Sequence, residues 1–275
     1  FRSVGGTTAL TSLTTNAAGT SDLNSVTTTG AQVYNDNTVT LSGSSYTTTN
    51  AAFTVANATT LSATNITVSV GTGDVTFTGA VNGTSNLTVN NTGTATFSSA
   101  VGGTTALTSL TTNAGGTLNL VDVSTSSEQN YGNATVNLNG TYETVNSDLT
   151  IDNAVVLGGA TSVSVGTGSA TFSGTVNGAY ALTVNSAGDL TFSSAVGGTT
   201  PLASVTTDTA GTSTFLSVTT TGAQSYSDDT ITLNGTYTTT NAAFTAGNGV
   251  VLADATTVST GSGAISFTGT VNGGK

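Results

Sequence analysis

The segment Phe77-Thr-Gly-Ala-Val-Asn-Gly83 decides the fold, because the chain contains it three times with small changes. It returns as Phe172-Ser-Gly-Thr-Val-Asn-Gly178 and as Phe267-Thr-Gly-Thr-Val-Asn-Gly273, and both steps are 95 residues long. Self-similarity at a fixed period is typical of folds built by stacking one structural unit on the next. The sequence is therefore interpreted as a repeat protein.

Two further motifs recur with nearly the same spacing. Val4-Gly-Gly-Thr-Thr-Ala-Leu-Thr-Ser-Leu13 recurs at residues 101–110 and, slightly changed, at 196–205, with steps of 97 and 95 residues. Gly30-Ala-Gln-Val-Tyr34 recurs as Gly222-Ala-Gln-Ser-Tyr226. We expect one continuous domain over residues 1–275 with about 2.9 copies of the unit. The expected unit boundaries lie near 1–67, 68–162, 163–257 and 258–275.

A shorter period lies inside the unit. Short segments that alternate between apolar and polar residues start near Val68, Leu87, Leu107, Tyr131, Leu149 and Val163. The five spacings between these starts are unequal, longest between Leu107 and Tyr131 and shortest between Leu149 and Val163, and together they make up one unit. One unit is therefore expected to hold five coils of about 19 residues on average, and the chain about 14 coils.

The alternation identifies these segments as strands. Ile66-Thr-Val-Ser-Val70 and Val136-Asn-Leu138 change between apolar and polar at every residue, and no apolar pattern recurs at helical spacing. Thr, Val, Ile and Phe favour strands, and clusters of Gly, Asn and Ser interrupt them. Because similar segments recur at coil spacing, stacked coils are favoured over a sandwich. The expected fold is an all-β parallel β-solenoid, or β-helix.

This register predicts the core. Phe77 should lie over Phe97, and Phe172 over Phe192, because the members of each pair are one coil length apart in the sequence. The side chains expected to point inward are Val75, Phe77, Leu87, Val89, Phe97, Val136, Leu138, Leu149, Ile151, Val165, Phe172, Leu182, Val184, Phe192, Ile231, Leu233, Phe244 and Phe267.

The composition excludes several classes of function. The chain has 13 acidic residues and 2 basic ones, and the basic residues Arg2 and Lys275 stand at its two extremes. A nucleic-acid partner is not expected, because neutralising phosphates requires Lys and Arg. The absence of Cys and His excludes disulfides, thiolate and imidazole metal ligands, and histidine-based catalysis. No run of about 18 apolar residues occurs, so no membrane span is expected.

The repeat pattern resembles a known group of proteins. Coils of about 20 residues rich in Thr, Gly, Asn and Ala, repeated in tandem without Cys, look like the shafts of secreted bacterial adhesins of the filamentous-haemagglutinin type. The resemblance implies a right-handed parallel β-helix, export through an outer-membrane partner and a place in a long fibre on the cell surface.

Carboxylates are the first candidates for chemistry. Asp36 follows Tyr34 by two residues, and Asp228 with Asp229 occupies the same place in the third unit. Two carboxylates can hydrolyse glycosides, so a polysaccharide-active β-helix enzyme is one alternative. The middle unit carries Asn133 at this place, and no basic residue is near to bind a substrate. These acids are therefore expected in exposed turns, no catalytic residue is assigned, and the chain is expected not to be an enzyme.

Calcium is the second candidate. Calcium-binding β-roll repeats place an Asp in a Gly-rich turn of every coil, whereas the 11 Asp residues here are scattered. Asp74 lies in such a turn, but its counterparts are Ser169 and Ala264. A fortuitous site near Asp148 and Asp152 stays open as an alternative. No metal ligand and no cofactor is assigned.

Two surface features are candidates for ligand binding. Tyr34, Tyr131 and Tyr226 recur at matched positions and are the best set for an aromatic binding face. Runs such as Thr27-Thr-Thr29 and Thr47-Thr-Thr49 resemble the Thr arrays of ice-binding solenoids. Such an array needs the same Thr-x-Thr in every coil, and the runs recur only about twice per unit. A carbohydrate-binding or ice-binding face is therefore the main alternative function.

Neutral side chains suit a stack of coils. Equivalent side chains of neighbouring coils lie about 4.8 Å apart, where like charges repel one another and Thr, Ser and Asn do not. The expected function is structural: a shaft or filament segment of a secreted bacterial surface fibre, an adhesin or a biofilm-matrix protein. The expected partner is the chain itself, stacked head to tail or continued in a longer chain, because an uncovered coil exposes unpaired strand edges. A host or cell-surface carbohydrate is a further candidate partner.

Overall fold

A computed structural model describes residues 3–113, 115–208 and 210–273 of the chain. These residues form 33 strands and no helix. The chain divides into two compact units, Phe1–Asn137 and Leu138–Lys275. The strands that begin in the first unit are β1 (Leu13–Thr14), β2 (Thr20–Leu23), β3 (Val26–Thr27), β4 (Gln32–Tyr34), β5 (Thr38–Leu41), β6 (Ser45–Thr47), β7 (Phe53–Val55), β8 (Ala58–Leu61), β9 (Asn65–Gly71), β10 (Val75–Phe77), β11 (Val81–Asn82), β12 (Asn86–Asn91), β13 (Thr94–Phe97), β14 (Ser109–Asn113), β15 (Thr117–Leu120), β16 (Val123–Thr125), β17 (Gln129–Tyr131) and β18 (Thr135–Thr144). Those that begin in the second unit are β19 (Leu149–Ile151), β20 (Ala154–Gly166), β21 (Ala170–Phe172), β22 (Val176–Asn177), β23 (Ala181–Ser186), β24 (Asp189–Phe192), β25 (Ser204–Thr207), β26 (Thr212–Phe215), β27 (Val218–Thr219), β28 (Gln224–Tyr226), β29 (Thr230–Thr238), β30 (Phe244–Ala246), β31 (Gly249–Ser259), β32 (Ile265–Phe267) and β33 (Val271–Asn272).

The predicted fold class is confirmed: the chain is an all-β parallel β-solenoid of about 12 turns of about 21 residues. Each strand pairs in parallel with the strand one turn away, as Thr76 of β10 pairs with Thr54 of β7 and Thr96 of β13. The backbone groups of a turn are thus satisfied by its two neighbours, which is how a solenoid buries a core without closing a sheet.

The first unit has three faces, each a parallel sheet. Face A contains β1, β4, β7, β10, β13 and β15, and face B contains β3, β6, β9, β12, β14 and β17. Face C contains β2, β5, β8 and β11 and continues through single bridges that join Val81, Val101 and Val123.

The second unit also has three faces. Face D contains β19, β21, β24 and β26, the first halves of β29 and β31, and β33. Face E contains the second half of β20 with β23, β25, β28, β30 and β32. Face F contains the first half of β20 with β22, β27 and the second halves of β29 and β31. The turns differ in length, since Thr191 is closer in sequence to its partner Thr171 in the preceding turn than to its partner Thr214 in the following turn.

Residues that are equivalent in sequence lie on successive faces and not above one another. In the first unit Tyr34 is on face A, whereas Tyr131 is on face B. In the second unit Phe172 is on face D, whereas Phe267 is on face E. Four turns along face D lead from Phe172 to Leu252. The chain then passes through face F and reaches Phe267 on face E, two faces beyond Leu252. The 95-residue repeat therefore makes four turns and two thirds of a fifth.

This partial turn explains the difference from the expected five shorter coils per unit. The short step from Leu149 to Val163 leads from face D to face E, so it is not a full turn. Apolar periodicity identifies a strand but not the face that the strand joins. Counting coils from such strands therefore gives slightly more and shorter coils than the turns in the structure.

The predicted core is confirmed at every position but one. Phe77 stacks on Phe97 with ring centroids 5.1 Å apart, and Phe172 stacks on Phe192 at 4.7 Å. The other predicted inward side chains are buried, except that of Phe267, which is 38% exposed. Its prediction was wrong because β32 is the last described strand of face E, so no described turn covers its outer side.

Asn side chains interlock the corners of successive turns. Asn146 has a φ of 52°, and its Oδ1 accepts the backbone N–H of Thr167 one turn later. The neighbouring Gly166 has a φ of 59°, and a Cβ there would collide with Oδ1 of Asn146. Asn50 and Asn241 form the same corner, each with a positive φ and an acceptor bond from the next turn. Only residues that tolerate the left-handed conformation fit these positions.

Candidate functional site

The outer side of face D carries a column of threonines. The outward residue of five successive strands is Thr, and the column runs through Thr150, Thr171, Thr191, Thr214 and Thr232. Neighbouring members of such a column lie about 4.8 Å apart. The Thr runs that the sequence analysis singled out do not form it. Its members are single threonines between two buried residues. Four of them have apolar neighbours on both sides, and Thr214 lies between Ser213 and Phe215, so the alternation of Thr with inward residues is the signal that could have found the column.

The first unit carries hydrogen-bonded ladders of amides on face B. Nδ2 of Asn86 donates to Oδ1 of Asn65 at 2.7 Å, and Oδ1 of Asn86 accepts from Oγ of Ser109 at 2.9 Å. In a second ladder Nδ2 of Asn113 donates to Oδ1 of Asn90 at 3.1 Å. Neutral side chains thus bind one another from turn to turn, in the way expected of stacked Asn and Ser.

The recurrent tyrosines do not form a binding face. Tyr34, Tyr131 and Tyr226 are at most 1% exposed, so the hypothesis of an aromatic surface at these residues is wrong. The hydroxyl of Tyr226 donates to Oε1 of Gln224 at 3.1 Å, and Nε2 of Gln224 donates to the carbonyl oxygen of Thr238 at 2.9 Å. Residues two apart in a strand point to the same side. Each tyrosine therefore points inward together with the residue two positions before it, which is Gln in the motif.

The recurring Gly-Ala-Gln-x-Tyr motif is therefore a buried polar network. Tyr34 donates to Oε1 of Gln32 at 2.9 Å, as Tyr226 does to its own Gln. Burial raises the pKa of Tyr34, Tyr226 and Tyr237 above that of an ordinary tyrosine, and it raises the pKa of Tyr46 to about 12. These phenols stay protonated at neutral pH and serve as internal hydrogen-bond donors.

Two acids predicted to lie in exposed turns are buried instead. Asp36 is 5% exposed and Asp228 is 0% exposed, whereas Asp229 is exposed as expected. The prediction was wrong for Asp36 and Asp228 because the alternation of inward and outward side chains continues beyond the strand into the corner. Tyr226 points inward, Ser227 is half-buried, and Asp228 is the next inward position.

Asp228 belongs to a polar site inside the second unit, which we call the Asp228 site and define by Thr207, Ser213 and Asp228. Oδ2 of Asp228 accepts hydrogen bonds from Oγ1 of Thr207 at 2.5 Å and from Oγ of Ser213 at 2.7 Å. Oγ1 of Thr207 itself accepts the N–H of Ser227 at 3.2 Å. Oδ1 of Asp228 is buried and has no hydrogen-bond partner.

The electrostatic surroundings of Asp228 disfavour an unpaired charge. Burial raises the pKa of Asp228 above its usual value, and the nearby Asp208 carboxylate raises it further, against the lowering effect of the hydroxyls of Thr207 and Ser213 and of the backbone N–H of Asp228 itself. No Lys, Arg or His occurs between Arg2 and Lys275. No cationic side chain of the described residues can therefore compensate the carboxylate.

The first unit holds a counterpart 192 residues earlier, formed by Thr15, Ser21 and Asp36. Oγ1 of Thr15 accepts the N–H of Asn35 at 3.1 Å, which matches the bond between Ser227 and Thr207. Oδ2 of Asp36 and Oγ of Ser21 are both buried without a hydrogen-bond partner. The same three residue types thus stand at the same three places.

A second counterpart, 95 residues before the Asp228 site, consists of Thr112, Leu118 and Asn133. Oγ1 of Thr112 and both amide atoms of Asn133 are buried and without a partner. In residues 3–113, 115–208 and 210–273, seven buried side-chain polar atoms lack a partner, and six of them belong to these three sites. Buried polar atoms are almost always hydrogen-bonded, so this concentration marks the sites as unusual. The sequence did not reveal these sites, because Asp and Asn in turns usually face solvent.

The remaining acids that were considered for calcium take part in corner pairing or face solvent. Oδ1 of Asp148 accepts the N–H of Ser169 at 2.8 Å, and Oδ1 of Asp74 accepts the N–H of Thr94 at 2.7 Å. Asp152 is exposed. Within the described part of the chain, no group of three or more Asp, Glu, His or Cys residues is placed to hold a metal ion.

No helix of the described residues is long and apolar enough to cross a membrane. No protein-family model, no curated protein and no solved structure matches the chain. The class of protein that the chain itself shows is therefore a parallel β-solenoid built from an internal repeat.

Proposed function

We propose that the chain is a structural segment, the shaft or filament portion of a secreted bacterial surface fibre or adhesin. The observation that carries this proposal is the advance of two thirds of a turn per repeat, seen where Tyr34 and Tyr131 occupy different faces. A motif that recurs in sequence is thereby placed on different sides within each unit. A ligand-binding surface made of repeated motifs needs all copies of the motif on one side of the solenoid. A structural shaft has no such requirement.

The outer faces give a second line of support. Columns of Thr and ladders of Asn follow the turns without the alternating charges of ordinary surfaces, and charged residues make up only 5% of the chain. Every added turn buries its apolar residues against the turn before it, so the core grows with the number of turns. Such a composition keeps the charges few as the repeat is extended, with 13 acidic residues in the whole chain.

Self-association is part of the proposal. Ile265, Phe267 and Val271 are 38–49% exposed, whereas their counterparts 95 residues earlier are buried beneath the next turn. An apolar surface of this kind accepts a strand-bearing partner. The partner we propose is a further turn of the same repeat, because that turn covers the equivalent surface within the second unit.

The experiment is to follow the size of the chain by light scattering and negative-stain microscopy as its concentration rises. We expect end-to-end oligomers or filaments, and we expect Phe267→Asp to abolish them. Thr257→Asp is the matched control, because Thr257 is an exposed residue of the same region and should leave assembly unchanged. A chain that stays monomeric at every concentration, or assembly that Phe267→Asp leaves intact, would contradict the proposed self-association.

A second candidate function is binding of ice or carbohydrate, and the five-threonine column of face D favours it. It can be tested by thermal hysteresis and by binding to insoluble polysaccharides. Under this candidate, Thr191→Glu in the column abolishes the activity, while Thr206→Glu on face E preserves it. Under the structural proposal the unmodified chain shows neither activity.

A further inference from the structure

The last described turn of the second unit exposes residues whose counterparts are buried. It consists of residues 256–259, β32 and β33, and we call it the terminal turn. Phe267 is 38% exposed and Val271 is 46% exposed, whereas their counterparts Phe172 and Val176 are 0% exposed. The terminal turn is therefore a turn of the repeat whose outer side has no cover among the described residues.

The chain shows twice which segment covers such a turn. In the first unit the equivalent turn is covered by residues 84–105, which we call the cover segment. Phe97 of this segment lies over Phe77, and Val101 pairs with Val81. The second unit repeats both contacts 95 residues later, again between parallel strands. The direction and the register of the cover are thus the same in both units.

An Asn side chain holds the end of the cover segment. Oδ1 of Asn82 accepts the N–H of Thr104 at 2.9 Å and the N–H of Thr105 at 3.1 Å. Asn177 accepts two equivalent bonds at the same two distances. Asn272 is the third member of this series and is exposed on β33. The terminal turn therefore carries the same acceptor atom at the equivalent position.

The inward residues of the cover are matched in size to those beneath them. Ala95 lies over Val75, whereas Leu190 lies over Ala170, so each pair combines a larger and a smaller side chain. All four are at most 1% exposed. Ile265 stands at the equivalent position of the terminal turn and is larger than either of the two covered residues. Because interiors are close-packed and overpacking destabilises them, a small residue fits over Ile265.

We propose that the terminal turn binds an extended segment of the same repeat, of the type of residues 84–105, with a small residue over Ile265. Such a segment adds a parallel strand to each face, so main-chain hydrogen bonds provide affinity and inward side chains provide specificity. The proposal rests on the structural function proposed above, and it specifies the register and the side-chain size that the terminal turn accepts.

The register can be tested by disulfide cross-linking of the full chain to a synthetic peptide of residues 84–105. The chain has no Cys, so only introduced thiols can react. Paired residues of neighbouring strands are about 4.8 Å apart, which a disulfide can span. We expect Thr256→Cys in the chain to cross-link with Leu87→Cys in the peptide, and Val271→Cys with Val101→Cys. The two crossed combinations should not react, because they correspond to an antiparallel segment.

The size selection can be tested by fluorescence anisotropy with labelled peptides that differ at residue 95. The chain should bind the peptide with Ala95 about tenfold more tightly than the Ala95→Leu form, because the longer side chain overpacks against Ile265. Ile265→Ala in the chain should reverse this order, as Ala170 accepts Leu190. Thr257→Asp is the matched control at an exposed residue of the same turn and should leave both affinities unchanged.

The outcomes separate this proposal from the proposed function. A scrambled peptide should not bind, and circular dichroism should show the same β content in every variant. Filaments of a chain that binds neither peptide, equal cross-linking in all four combinations, or a size preference that Ile265→Ala leaves unchanged would overturn the proposal without touching the structural function. Register-specific binding by a chain that stays monomeric would support the proposal and contradict the end-to-end association of intact chains.

Discussion

Aromatic side chains stack from turn to turn along face D. The ring of Phe192 lies between those of Phe172 and Phe215, with centroid distances of 4.7 Å and 5.3 Å. All three rings are at most 1% exposed. Stacked rings bury large apolar areas and add a geometric preference beyond area alone. They therefore contribute strongly to the register between neighbouring turns.

Replacing one of these rings should be costly. We expect Phe172→Ala to lower the free energy of unfolding by about 3–5 kcal/mol, because it leaves a cavity between two turns. Thr171→Ala, at the outward neighbour, should change it by about 0.5 kcal/mol or less. Denaturant unfolding followed by circular dichroism measures both. Similar losses in the two variants would contradict the inward and outward assignment.

The Gln and Tyr network should be sensitive to the loss of one hydroxyl. Tyr226→Phe leaves Oε1 of Gln224 without its donor in the core. We expect a loss of about 1–3 kcal/mol in unfolding free energy, the range for an unsatisfied buried polar group. Tyr180→Phe is the control, since Tyr180 is 45% exposed and should be near neutral. A neutral Tyr226→Phe would mean that the network adds little to stability.

The stability of the chain should depend on pH through Asp228. Its pKa in the folded state is raised mainly by burial and further by Asp208, while the hydroxyls of Thr207 and Ser213 and its own backbone N–H lower it. The phenol of Tyr226 also lies near it. Between the usual Asp pKa of about 3.9 and the raised folded value, the folded chain holds a proton that the unfolded chain has lost. Stability attributable to Asp228 is therefore greatest at low pH and decreases as pH rises through that window.

The measurement is the difference in unfolding free energy between the chain and Asp228→Asn, from about pH 4 upward. The chain should lose stability relative to the variant as pH increases. Acids distant from Asp228 titrate equally in both proteins, so their contributions cancel in the difference. A flat difference, or one of opposite sign, would show that the fold does not hold the carboxyl group of Asp228 in its neutral form.

At the scale of the element, the corners determine how one strand leads to the next. Asn50, Asn146 and Asn241 have positive φ values, and each accepts a hydrogen bond from the following turn. An Asn can adopt the left-handed conformation and use its side chain at the same time. The corner thus combines a backbone requirement with a bond between turns.

These two roles can be separated by paired substitutions at Asn146. Both Asn146→Gly and Asn146→Ala remove the acceptor for the N–H of Thr167. Only Ala adds the strain of a left-handed conformation, so it should be less stable than the Gly variant by about 1–2 kcal/mol. Thermal and denaturant unfolding measure the difference. Equal stability of the two variants would indicate that the corner relaxes to another backbone conformation.

At the scale of the whole molecule, the lack of basic residues makes proteolysis informative. Trypsin has no site between Arg2 and Lys275, so it should leave one peptide of nearly full length even after unfolding. A protease of broad specificity should digest the native chain slowly, because the backbone of each turn is paired with its neighbours. The denatured chain, digested in parallel, is the control and should disappear quickly. Rapid cleavage of the native chain into pieces of about 21 residues would indicate turns that open independently.

Much of the fold could be predicted from the sequence, because the decisive signals are local or strictly periodic. Alternation identified strands such as residues 66–70, the 95-residue recurrence identified the repeat, and the spacing of one coil length placed Phe172 over Phe192. Inward and outward positions follow from the two-residue period of a strand alone. No tertiary information is needed for any of these steps.

The tertiary structure alone decided which face each strand joins and what Asp36 and Asp228 contact. Turns of unequal length make the repeat advance by two thirds of a turn, and this advance depends on how every corner packs on the turn before it. Asp is usually a solvent-facing turn residue, so its local preference pointed outward. The corner instead directs Asp228 inward, where it contacts hydroxyls that lie 15 and 21 residues earlier in the chain. Contacts over such separations arise only when the turns stack, which is why the sequence by itself determined the strands and the core but not the internal polar sites.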